Sequence, residues 1–204
     1  MVGSEPRGRR KTAATREAIL VAAQTLLAEG GTDAVTLPAV SERADISIQT
    51  IYNRVGGRDV LLRAVAERAM QANRVYMDRA YGEAGSALHR MLAAADAYTR
   101  FARERPHEFR VLLQPPGDDA VSERIADLVA EQNGKLAAAI AAGIAEGQLR
   151  DDLDPALTAT VLWGALNGVI ALSWGHEHHR ADTDALLPAL FTALSVGLLC
   201  SPDS

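Results

Sequence analysis

The apolar positions between Thr15 and Glu29 are Ile19, Ala22, Ala23, Leu26 and Leu27. They recur at i, i+3, i+4, i+7 and i+8, the spacing of one buried helix face. Gly30 and Gly31 stop that helix. Thr36 then offers an N-cap with Pro38 in the first turn, and "LPAVSERA" predicts a helix of about two turns. Ala44, Asp45 and Ile46 interrupt it, Ser47 caps a second short helix, and Gly56 and Gly57 end that one. From Arg58 or Asp59 to about Tyr81 a long helix follows, with Leu61, Leu62, Val65, Ala69 and Met70 as its inner side.

The same period continues downstream. A helix from about Ser86 to Arg105 is expected to bury Leu88, Met91, Leu92, Ala95 and Tyr98, stopping at Pro106. His107 to Gln114 makes a short one, ended by "PPG". From about Asp119 to Gly147, Val121, Ile125, Leu128, Val129, Leu136, Ile140 and Ile144 hold core spacing. Asp154 and Pro155 open an apolar helix running to about His176, and the last, from about Asp182 to Leu199, stripes Leu187, Leu190, Phe191, Leu194 and Leu198. No segment sustains period-two alternation. The expectation is an all-α fold of about nine helices: a small N-terminal three-helix unit and a larger helical domain.

Two short helices across a three-residue turn have helix-turn-helix spacing. In that motif the second helix enters the major groove and must bury one side on its supports. Ile46, Ile51 and Val55 read as that buried side, facing Val40 and Ala44, which leaves Ile48, Gln49, Thr50, Tyr52 and Asn53 outward. Gln and Asn can pair with adenine, Thr and Ile can touch a thymine methyl, and a Tyr hydroxyl can reach a phosphate.

Charge sharpens this picture. The net charge of −5 argues against an anionic partner until it is divided along the chain. Residues 1–81 carry 12 basic against 9 acidic side chains, net +3, and residues 82–204 carry 9 against 17, net −8. The run "RGRRKTAATR" holds Arg7, Arg9, Arg10, Lys11 and Arg16 without an acid, and reads as a flexible basic arm gathering phosphates, alternatively as a solvated tail. Arg43, Arg54 and Arg58 add further positive charge.

With 48% hydrophobic and 23% charged residues, the chain is expected to be soluble, with apolar runs broken short of a membrane span and no signal peptide at its start. Its single cysteine, Cys200, suits a reducing compartment, and the expected location is cytoplasmic.

The stretch "TREAILVAAQTLLAEGGTDAVTLPAVSERADISIQTIYNRVGGRDVLLRAV", Thr15 to Val65, resembles the N-terminal DNA-binding domain of TetR-type bacterial transcriptional regulators. The resemblance runs in order through the Thr-Arg start, Gly-x-x-x-x-Thr ending at Thr36, Ala-x-x-Ser-x-x-Thr-Ile-Tyr from Ala44 to Tyr52, and Arg-x-x-Leu-Leu at Arg58, Leu61 and Leu62. Asp45 stands where the family usually has Gly, Gln49 where it has a small residue, and Val55 where it has Phe. The resemblance implies a flexible arm at 1–14, a DNA-binding domain at 15–62 and an effector-binding and dimerisation domain at 63–204. The residues expected at DNA are Arg10, Lys11, Thr36, Ser47, Ile48, Gln49, Thr50, Tyr52, Asn53, Arg54 and Arg58.

"GQLRDDLDPALTATVLWGALNGVIAL", Gly147 to Leu172, is similar to a subgroup marked by Trp, His and Gly, with Trp163 and Gly168 kept and Asn167 in the place of the His. The resemblance implies that this helix and the last pair with their copies in a homodimer, through Gly164, Gly168, Ala171, Leu187, Leu190, Phe191, Leu194 and Leu198; the small residues agree, since they permit close helix approach. It also implies a small apolar or amphipathic effector held near Tyr98, Phe101, Phe109, Leu112, Leu128, Trp163 and Asn167, for which plain core packing is the alternative.

The expected function is a sequence-specific, ligand-released repressor acting as a homodimer on a pseudo-palindromic operator, without cofactor, metal or catalytic residues. The alternatives are an activator, or a metal-responsive regulator using His176, Glu177, His178 and His179, although that cluster lacks helical i, i+4 His spacing. A small helical enzyme is the distant third, since no nucleophile elbow, phosphate loop or dinucleotide fingerprint is present in the sequence.

Overall fold

The computed structural model describes residues 7–115, 119–172 and 182–199. Among them run nine α-helices: α1 (Arg7–Ala34), α2 (Leu37–Ala44), α3 (Ile48–Arg54), α4 (Arg58–Tyr81), α5 (Ala87–Glu104), α6 (Pro106–Leu113), α7 (Asp119–Ala145), α8 (Pro155–Leu172) and α9 (Thr183–Leu198). Apart from the start of α1, and the end expected near His176, which lies outside the described residues, the expected boundaries fall within a few residues of these. The "GHEHHR" cluster, Trp174 and Cys200 lie outside the described residues.

One clear difference lies at the start. Residues 7–14, expected as a flexible arm, continue α1, and Thr15 Oγ1 donates to the Lys11 carbonyl at 2.9 Å. The physical reason is composition: after Pro6 the run is mostly Arg, Lys, Thr and Ala, and Arg, Lys and Ala lose little entropy in a helix. At the other end of α1, Gly31 takes φ 72° and ψ −166°, so the regular helix breaks where the glycine pair predicted it.

The chain forms two compact units, and their division departs from the expected boundary between residues 62 and 63. The first comprises residues 1–73 and 101–126. Its core gathers Ile19, Ala23, Leu27, Val35, Val40, Ile51, Leu61, Val65, Phe101 and Phe109, each almost wholly shielded from solvent. Arg68 ties α4 to α1 by donating to Gln24 Oε1 at 2.6 Å and Glu17 Oε2 at 2.5 Å. The short α6 also packs on α1, with His107 beside Gly31, Phe109 tilted against Phe101 at 6.2 Å, and the buried Glu108 held by Arg105 at 3.0 Å.

The second unit comprises residues 74–100 and 127–204. One cluster in it centres on Met91, Ile140, Leu149 and Ala159, another on Met77, Ala80, Ala94 and Ala97. Side chains just beyond α7 cap α5: Glu146 Oε2 accepts from the Ala87 N–H at 2.9 Å and Gln148 Oε1 from the Leu88 N–H at 3.1 Å. Gly143 lets Leu149 fold back onto α7, because a Cβ there would lie 2.9 Å from Leu149 Cδ1. Leu92, expected inside, is 54% exposed; Ala87, Met91, Ala94 and Ala97 form the buried side of α5 instead. A small alanine stripe competes for the interior with the larger leucine, and packing space decides the phase.

The α2–α3 turn is closed by Ser41. Its carbonyl accepts from the Ile46 N–H at 3.1 Å, its hydroxyl donates to the Ile46 carbonyl at 2.8 Å, and Asp45 N–H bonds to Glu42 at 3.4 Å. This pair of backbone bonds is a Schellman closure, which needs a left-handed residue, and Asp45 supplies it at φ 53° and ψ 46°. An L-residue there costs about 1–2 kcal/mol against glycine, less for Asp than for branched residues. Accordingly Asp45→Gly is expected to raise the unfolding free energy by up to about 1 kcal/mol and Asp45→Val to lower it by about 1–2 kcal/mol, measured by chemical denaturation.

Candidate nucleic-acid interface and effector site

The seven residues of α3 are too few to form a stable helix alone, so their geometry depends on what pins them. Ser47 caps the N-terminus, its hydroxyl oxygen accepting from Thr50 N–H at 3.3 Å and lying 2.9 Å from Thr50 Oγ1. Ile51 is completely buried, and Val55 and Ile46 are partly covered, as their spacing predicted. The opposite side is bare: Ile48 is 42% and Tyr52 55% exposed, and Gln49 and Asn53 are exposed as well. Gln49 Nε2 donates to Asn53 Oδ1 at 3.2 Å, one helical turn apart. The two amides thus form an uncharged strip of donors and acceptors, the chemistry that base edges in a major groove call for.

The other residues expected at DNA divide by what holds them. Arg10, Lys11 and Arg54 are exposed cationic side chains. Thr36 caps α2, accepting from Ala39 N–H at 3.3 Å. Arg43 makes a two-pronged bond with Glu29 at 2.6 and 2.9 Å, and this hydrogen bond keeps the Glu29 carboxyl below the ordinary glutamate range. Arg58 has a different place from the one expected. Its Nε donates to the Val35 carbonyl at 3.0 Å and its Nη2 to the Thr32 carbonyl at 2.9 Å, so the half-buried guanidinium braces the corner between α1 and α2. The signal for this role was the polar backbone left open after Gly31, which the periodicity of apolar residues does not register.

The residues expected around an effector fall in both units. Phe101 and Phe109 are fully buried against each other in the first, where Leu112 is partly covered. In the second, Tyr98 of α5 meets Trp163 and Asn167 of α8, while Leu128 is buried on α7. Tyr98 Oη donates to Asn167 Oδ1 at 2.8 Å, and the Trp163 side chain also hydrogen-bonds the Tyr98 hydroxyl. Burial pushes the Tyr98 phenol far above the ordinary tyrosine range, outweighing the Trp163 bond that favours the phenolate. Asn167 is 8% exposed, and its Nδ2 has no hydrogen-bond partner. Leaving such a donor unpaired costs about 1–3 kcal/mol.

The other side of α8 is open. Leu157, Val161 and Leu172 are 69%, 62% and 50% exposed, Ala171 is exposed, and a Cβ added at Gly164 or Gly168 would meet nothing within 4 Å. On α9, Leu187 is buried and Leu198 packs against the Ile140–Leu149 cluster, while Leu190, Phe191 and Leu194 are half-buried. The face left bare is Ala185, Ala189, Ala193 and Val196. Within the chain, then, Leu187 and Leu198 of the expected α9 stripe have internal partners, and the other three keep part of their surface open. By length and composition alone α8 is also long and apolar enough to cross a membrane, with 17% of it buried within the chain.

Known proteins match both halves of the chain. Residues 19–65 match the family described as "Bacterial regulatory proteins, tetR family", and residues 91–194 match the "Tetracyclin repressor-like, C-terminal domain". The sequence is 30% identical over 170 residues to an uncharacterised helix-turn-helix transcriptional regulator of Bacillus subtilis, covering 78% of this chain and 80% of that one. It is 28% identical over 191 residues to another from Mycobacterium tuberculosis, covering 90% and 81%. Among solved structures, a transcriptional regulator from Saccharomonospora viridis in complex with choline superposes with a TM-score of 0.80 at 16% identity, covering 93% of this chain and 100% of that one.

The Arg58 brace is open to test. Arg58→Ala is expected to lower the unfolding free energy by roughly 1–3 kcal/mol, read from denaturation midpoints, whereas Arg54→Ala leaves the midpoint nearly unchanged.

Proposed function

The chain belongs to the TetR family and is a DNA-binding transcriptional regulator; from that premise we propose that it is a ligand-released repressor, working in the cytoplasm as a homodimer on a pseudo-palindromic operator. The observation that carries the reading is the bare Gln49–Asn53 strip on α3, fixed by the buried Ile51 behind it. Gln49, Asn53, Thr50 and Ile48 select bases, while Tyr52, Arg54, Arg10 and Lys11 supply phosphate contacts that position the helix. Thr36 and Ser47 sit at helix N-termini, where free N–H groups favour an anionic phosphate.

The homodimer rests on the uncovered side of α8 and α9. Leu157, Val161, Leu172 and Val196 flank Gly164, Gly168 and the α9 alanines, giving an apolar surface with small residues along it. A second copy presenting the same surface covers it by a two-fold contact, and a dimer sets two recognition helices about one DNA turn apart. A membrane is the poorer cover, since the inner side of the same helix carries the hydrogen-bonded Asn167. An effector that favours a conformer with mismatched half-site spacing then releases DNA by population shift.

Two outcomes test this reading. Gln49→Ala and Asn53→Ala are each expected to narrow the difference in binding free energy between preferred and altered sequences by about 1–3 kcal/mol in competition assays, at unchanged thermal stability. Gly168→Arg is expected to convert a dimer to a monomer in sedimentation equilibrium while keeping the helical circular-dichroism signal; a protein monomeric before substitution contradicts the dimer.

A further inference from the structure

The network around Tyr98 has a fixed direction. An indole nitrogen can only donate, so Trp163 gives its N–H to the Tyr98 oxygen. The Tyr98 hydroxyl in turn donates to Asn167 Oδ1, at 2.8 Å. That orientation leaves the Asn167 NH2 as the end of the chain, buried with the residue at 8% exposure and without an acceptor. Each donation polarises the next, so the terminal N–H groups are better donors than those of an isolated amide.

The surroundings restrict what can accept from it. α8 carries no ionisable side chain from Pro155 to Leu172. On α5 the neighbours Ala94 and Ala97 are buried and apolar, and the nearest charges in sequence, Asp96 and Arg100, are exposed and bonded to each other at 3.4 Å. Neither α8 nor this turn of α5 supplies a free counter-charge for a carboxylate, and a cation would meet a donor, so a neutral acceptor suits these two helices best. Trp163 is only half-buried, so the network has one member open to solvent.

Resting on the effector reading above, we propose that the Tyr98–Trp163–Asn167 network is an effector subsite for a neutral, largely apolar molecule bearing a carbonyl-type oxygen, which accepts from Asn167 Nδ2. The indole flanks the ligand, so its emission reports binding directly.

The test uses the full-length protein carrying Trp174→Phe, so that Trp163 alone fluoresces. Four probes of one shape are titrated: 4-tert-butylcyclohexanone, tert-butylcyclohexane, 4-tert-butylcyclohexanecarboxylate and the corresponding trimethylammonium ion. The ketone is expected to bind roughly tenfold tighter than the hydrocarbon, and Asn167→Leu to bring the two within about twofold while weakening ketone binding. If Asn167→Leu fails to fold, the ranking in the unsubstituted site still decides. Equal binding of ketone and hydrocarbon, a preference for either ion, or a ketone preference that survives Asn167→Leu overturns the subsite and leaves the effector reading standing. Silence from all four probes counts against the effector reading and takes the subsite with it.

Discussion

A helix of seven residues does not persist in water, because nucleation fixes several dihedral angles before propagation returns anything. The recognition helix α3 therefore exists only through its attachments: Ile51 buried behind it, Ser47 at its start, and the Ser41-closed turn before it. α3 packs on α1 and α2, and other contacts of the first unit hold α1 in place. Arg68 clamps α4 to α1, Arg58 braces the corner leading to α2, and the buried Phe101–Phe109 pair lies in the same unit, where α6 packs on α1. Because hydrophobic burial holds one side, the other is free to carry exposed, uncharged amides, Gln49 and Asn53, bonded to each other.

The second unit applies the same division to α8. Leu166, Asn167 and Ile170 turn inward, and Leu157, Val161, Gly164 and Gly168 turn outward. A helix apolar on both sides keeps an exposed apolar face within its own chain. Its inner side holds the unpaired Asn167 Nδ2 and its outer side the open glycine steps, the two places where the proposed ligand and the proposed second copy would act.

Much of this was legible in the sequence, because helical period, glycine stops and cap residues are local signals. The buried Ile51, the capping Ser47 and Thr36, and the bare Gln49 and Asn53 all lie where their spacing put them. The residues misread share one cause, which is that their roles are set by partners distant in sequence. Arg58 serves carbonyls at positions 32 and 35, and Leu92 yields the interior to small alanines. The helical start of α1 has another cause: a basic run rich in Arg, Lys and Ala reads as an arm by charge and as a helix by propensity, and propensity prevails there.

The central claim, that α3 held in this way selects DNA sequence as one half of a symmetric reader, is met most directly by selecting genomic fragments with the purified protein at moderate salt, where unspecific phosphate binding is suppressed. The account predicts enrichment of an inverted repeat whose half-sites lie about one helical turn apart. Recovery of no enriched motif, or of a single half-site without its mate, would contradict it.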